Sequence, residues 1–99
     1  MYLTHEYLQY LREQQNCSLC YKKRDIEPHH VKYIGMGRDR KKPLAEHYSA
    51  IPVCRDCHTE YHNLGEKMYS IKHQVNPYEI AWYWLSKFLT RKEDNGIQT

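Results

Sequence analysis

No apolar run in this 99-residue chain approaches the roughly 20 residues that a helix needs to cross a bilayer. Near the N-terminus Thr4, His5 and Glu6 stand where a secretory leader needs unbroken apolar residues, so no signal peptide is expected and the expected location is cytoplasmic. Hydrophobic residues make up 40% only in a count that includes 10 Tyr, and mean hydropathy is −0.94. A single domain of this size has a thin margin of apolar burial, and a structural metal is one standard remedy. There is no internal repeat, no low-complexity tract and no odd cysteine.

What is present points to metal. All 4 Cys fall into two Cys-x-x-Cys pairs, Cys17/Cys20 and Cys54/Cys57. One such turn offers two thiolates from a tight bend, and two turns complete the tetrahedral shell that zinc prefers. A filled shell has no open position, so its role is structural. Disulfides are the competing reading, which requires an oxidising compartment.

The histidines form a second set. His58 and His62 are four residues apart, hence on one face of a helix, and that face is turned away from Cys57. A zinc-protease motif needs Glu directly after the first histidine; Thr59 is there instead. His29 and His30 are adjacent in a predicted strand, so they point to opposite faces. One imidazole can then serve as a ligand with His58 and His62, while the other is free to take a proton, as a general base near neutral pH. Ordinary strand and surface histidines are the bland alternative. Three imidazoles favour Mn²⁺, Ni²⁺, Co²⁺ or Zn²⁺ over Mg²⁺, a preference that the nearby Glu27 carboxylate softens.

Charge is uneven. Residues 21–42 hold eight basic side chains (Lys22, Lys23, Arg24, Lys32, Arg38, Arg40, Lys41, Lys42) against Asp25, Glu27 and Asp39. That segment is +5 in a chain of +3. It is either a solvated loop or a phosphate track that holds a nucleic-acid backbone with weak sequence preference.

Periodicity predicts a helix over 3–15 with Leu3, Tyr7, Tyr10 and Leu11 on one stripe. Short strands are predicted over 29–34 and 49–53, the second with Pro52 at an edge or bulge. A helix follows from about Arg55, ended or interrupted at Gly65. The last helix, about 77–91, opens on Asn76-Pro77-Tyr78-Glu79 and carries the stripe Ile80, Ala81, Trp84, Leu85 and Phe88. Trp82 and Tyr83 lie off that stripe. Residues 93–99 are expected to fray.

Together, Glu27-Pro28-His29-His30-Val31, the Ile51-Pro52-Val53-Cys54 strand and His58-x-x-x-His62 resemble an HNH endonuclease of the ββα-metal superfamily, of the small phage type. The resemblance covers about 17–63 of a single domain spanning 1–99, with the terminal helices outside it. It implies an α+β fold: a small zinc-stapled, treble-clef-like ββα-metal core. It also implies a hydrolase that cuts DNA phosphodiester bonds, leaving 5′-phosphate and 3′-hydroxyl ends. His30 is then the general base. His29, His58 and His62 hold the catalytic divalent ion, and the four cysteines hold structural zinc. The family's middle residue, usually Asn, braces the loop and orients the base; here Ser49 occupies that position, with His47 two residues earlier. Two other classes stay open: a zinc-dependent nucleic-acid-binding adaptor with little or no catalysis, and a treble-clef-like protein-interaction module.

Overall fold

A computed structural model describes residues 3–98, with side chains placed through Arg91. The fold is α+β: four helices around one two-stranded sheet. Helix α1 spans Thr4–Arg12, strand β1 Ile26–His30, strand β2 Ala50–Cys54, and helices α2, α3 and α4 Arg55–Leu64, Glu66–His73 and Pro77–Gln98. A 3-10 turn at Ala45–Ser49 leads into β2. Among the described residues no helix is long and apolar enough to cross a membrane.

The first strand lies earlier than the sequence suggests: Ile26–His30, not 29–34. Its partner explains the shift. The strands run antiparallel with Ile26 opposite Cys54, Pro28 opposite Pro52 and His30 opposite Ala50, so the pairing is used up at His30. The two prolines lack N–H donors, and facing each other they cost the ladder nothing at a non-hydrogen-bonded position. Pro52 accordingly turns its carbonyl outward, where it accepts from the Ser18 N–H at 2.9 Å and from Ser18 Oγ at 2.7 Å. Those bonds tie the first cysteine turn to β2.

The helix ends follow their chemistry. Gly65, at φ 82, ends α2 and leads directly into α3. Asn76 Oδ1 accepts from the Tyr78 N–H at 3.0 Å, capping α4 where the sequence placed its start. The α4 backbone continues to Gln98, past the expected end near 91; the fraying expected of 93–99 falls on side chains outside the described residues, as does Thr99. Helix α1 stops at Arg12, short of the predicted 15.

Two packed clusters meet at α4. One gathers Cys17, Val31, Ile51, Val53, Cys54 and Ala81. The other gathers Tyr7, Leu8, Leu11, Ala50 and Phe88, with Trp84 touching both. The predicted α4 stripe is therefore core, while Trp82 and Tyr83 are exposed. Helix α1 is fixed to the sheet by Tyr7, whose hydroxyl donates to the Ala50 carbonyl at 2.7 Å.

Candidate functional site

Helix α2 begins where β2 ends, and that junction builds two clusters at once. Cys54 closes the strand, Cys57 lies in the first helical turn, and the knuckle after α1 delivers Cys17 and Cys20. One sulfur from each lies within 4.8 Å of the others, a group that can hold a metal ion. Cys17 and Cys54 are buried, and Cys20 and Cys54 sulfurs are 3.9 Å apart. Burial pushes the Cys17 and Cys57 thiols up in pKa, while at Cys20 burial is outweighed by hydrogen bonds from the Lys22 backbone and the neighbouring cysteines, which bring it down; a bound cation favours the thiolate at all of them.

One residue further along α2 the side-chain direction changes by about 100°, so His58 leaves the sulfur cluster and joins a second group. His29, His58 and His62 offer nitrogens within 4.8 Å of one another. The Nε2 atoms of His58 and His62 are 2.7 Å apart. His29 is 1% exposed, and neither ring nitrogen has a hydrogen-bond partner among the described residues. A buried imidazole with both nitrogens unmatched is costly unless something else binds it. Burial holds its pKa down to about 3, with His58 and His62 adding to the effect; the ring is neutral, the form that ligates a metal. The donor set therefore fits a divalent ion.

Glu27 enters from two residues before His29, on the same face of β1. Its Oε1 is 2.7 Å from His58 Nδ1 and 3.3 Å from Arg55 Nε. A carboxylate accepts only, so His58 Nδ1 carries the proton and Nε2 presents its lone pair to the cluster. Glu27, Arg55, His58, Thr59 and His62 line an open cleft of about 250 Å³. Behind it, Tyr61 packs its ring 4.1 Å from that of His29.

His30 points to the other face of the strand, as the two-residue period requires. Its Nε2 is 2.9 Å from Nδ1 of His47, which is buried. His47 Nε2 in turn lies 3.0 Å from the carbonyl oxygens of Arg40 and Lys42. Carbonyls only accept, so this nitrogen bears the hydrogen and His47 Nδ1 is the acceptor. His30 Nε2–H therefore donates to it, and His30 Nδ1 keeps a free lone pair. Burial, with His47 close by, brings His30 down to about 4, so it is neutral at pH 7. Ser49 does different work: its hydroxyl accepts from the Lys32 N–H at 2.9 Å and donates to the Glu46 carbonyl at 2.8 Å. It braces the loop, and His47 holds the histidine.

The eight basic residues are all exposed. Lys22, Lys23 and Arg24 lie on the knuckle, where Arg24 pairs with Asp56; Lys32 follows β1; and Arg38, Arg40, Lys41 and Lys42 lie on the next loop, where Arg38 pairs with Glu46.

A family model described as a protein of unknown function (DUF968) matches residues 1–82. The chain belongs to that family. No curated protein and no solved structure matches it. The matched span takes in both clusters, Glu27 and His47, and the first turn of α4, so the whole candidate site lies within the family's shared region.

Sequence reasoning placed the four cysteines and four histidines in the groups just described. It did not find Arg55 or Tyr61. Arg55 directly follows Cys54, and its side chain is 81% exposed on the cleft rim; a cation at the mouth of a histidine cleft was the available signal. Tyr61 had none, since its contact with His29 depends on how α2 packs over β1.

Proposed function

We propose that this protein is a zinc-stapled HNH endonuclease that hydrolyses DNA phosphodiester bonds with a divalent ion held by His29, His58 and His62. The observation that carries this reading is His29, buried with both ring nitrogens unmatched, beside two more imidazoles and an open cleft. A structural role alone gives such a ring no partner. The antiparallel pair β1–β2 followed by α2 supports the ββα-metal assignment, and the four sulfurs support structural zinc.

His30 is the base in this reading. Its Nδ1 lone pair takes the proton of the water that attacks phosphorus, while His47 fixes the tautomer through its own bonds to two backbone carbonyls. Glu27 orients His58, and Arg55 with the loop around Arg38 to Lys42 holds the DNA backbone. A divalent ion bound at the cluster supplies Lewis acidity for the phosphate and the leaving 3′ oxygen.

Metal-dependent nicking of supercoiled plasmid by wild type and His30→Ala is the test. Loss of a general base costs about 10²–10⁴ in rate, so His30→Ala should nick at background level with an unchanged melting curve. Equal rates for the two proteins would remove His30 from the mechanism. A wild type that binds DNA but never nicks with Mn²⁺ or Ni²⁺ would leave the zinc-folded adaptor.

A further inference from the structure

The first cysteine turn and α4 enclose a cavity of about 600 Å³ that shares none of its lining with the histidine cleft. It continues past Gln14 and Gln15 into a second depression of about 710 Å³ that includes Arg12, Lys23 and Arg24. The first depression is aromatic; the second sets Arg12, Lys23 and Arg24 against Glu13 and Asp25, a small excess of positive charge.

Tyr21 stands at the mouth of the aromatic part with φ 63 and 76% of its surface exposed. A bulky side chain rarely takes that backbone conformation, which favours glycine or asparagine. The turn enforces it: the Tyr21 N–H donates to the Cys17 carbonyl at 2.9 Å, and the Asn16 side chain donates to the Tyr21 carbonyl at 3.1 Å. The ring gains no burial in return, so the fold itself has no use for it. The turn accounts for the strain, and the exposed ring is left free to meet a ligand.

Across the cavity, Tyr83 is 56% exposed and stands perpendicular to Trp84, ring centroids 5.5 Å apart. The Lys87 ammonium lies 5.2 Å from the Trp84 centroid and 5.8 Å from that of Tyr83. Gln15 and Glu79 add a carboxamide and a carboxylate, groups that pair with base edges. Aromatic faces beside a cationic track are the means by which proteins hold unpaired strands.

We propose that this groove binds single-stranded nucleic acid, with bases stacked on Tyr21 and Tyr83 and phosphates passing Lys87, Lys23, Arg24 and Arg12. The ligand class rests on the nuclease reading. An apolar peptide, the other chemistry that seeks aromatic faces, gains nothing from the basic extension.

Fluorescence anisotropy of a labelled oligodeoxynucleotide tests this in full-length, zinc-loaded His30→Ala protein, which binds without cutting. Against that parent, Tyr21→Gly and Tyr83→Ala should weaken single-strand binding by about 5- to 150-fold, the worth of one stacked base. Tyr21→Phe should restore it. Tyr21→Gly should melt no lower than the parent, and affinity for a blunt duplex should not move. Unchanged single-strand affinity in both variants overturns the proposal, as does a parent that binds no single strand at low salt. Failure of the nuclease reading looks different: the wild-type protein would not nick with any added metal, while the stacking variants still lose the single strand.

Discussion

The thiolate cluster and the imidazole cluster grow from adjacent residues of one helix, Cys57 and His58, yet they are opposite kinds of site. Four sulfurs gather inside the packed cluster of Val31, Ile51, Val53 and Ala81. Three imidazoles gather at a cleft, with His29 buried and His62 exposed. Four donors fill a tetrahedron; three leave positions for water and phosphate. A single helical step thus separates a buried four-sulfur cluster from an open three-imidazole cluster, because each residue turns the side chain by about 100°.

The sharpest way to break that division is to damage the sulfur side. Structural zinc contributes about 10–16 kcal/mol in small zinc-folded peptides, as much as the roughly 5–15 kcal/mol that typical domains have to spare. Cys54→Ser should therefore lose its cooperative thermal transition by circular dichroism. His58→Ala should keep its transition. If Cys54→Ser melts like wild type, the sulfurs are not a staple.

Within the histidine region, His47 comes next. Replacing it with Ala frees the His30 ring and its tautomer but leaves the base in place. Nicking should fall about 10- to 100-fold, less than the 10²–10⁴ for loss of the base itself. An unchanged rate would mean that the bond from His30 to His47 is packing only. Glu27→Gln is gentler still, since the amide oxygen can accept from His58 Nδ1 without its charge. Loss of such an outer partner costs about 10- to 100-fold in metal affinity, so the low end is expected for Ni²⁺ in calorimetry, with zinc on the sulfurs untouched.

These groups differ in how far the sequence revealed them. The cysteine pairs and His58/His62 were legible because their geometry is local: one turn, or four helical residues. The split between His29 and His30 was legible from the two-residue strand period, and the same period could have put Glu27 on the His29 face. The β1 boundary was misjudged because alternation and β-branched residues favour 29–34, whereas the extent of the strand is set by its pairing with Ala50–Cys54. The His47 contact and the Tyr61 wall depend on packing between elements distant in sequence, which no local spacing encodes. Tyr21 was passed over because its strain is a backbone property, visible only as a dihedral angle.

A region with no part in either cluster shows how much stability ordinary packing supplies. Tyr7 is fully buried, and its hydroxyl donates to the Ala50 carbonyl. Burial, helped by Tyr10, raises its pKa well above the usual 10, so the folded chain keeps a phenol proton that the unfolded chain gives up. Stability from this group is full below pH 10 and falls as pH rises beyond it, by about 1.4 kcal/mol per pH unit for one proton. Tyr7→Phe should cost about 1–3 kcal/mol at pH 8, where the Ala50 carbonyl loses its donor. It should also flatten the decline between pH 10 and 11 in urea denaturation of the zinc-loaded protein. Tyr61 and Tyr69 are shifted the same way by burial, so the variant retains part of the slope. A slope identical to wild type would mean that Tyr7 ionises in the fold as freely as in the open chain, and that the α1–β2 contact is looser than a 2.7 Å bond allows.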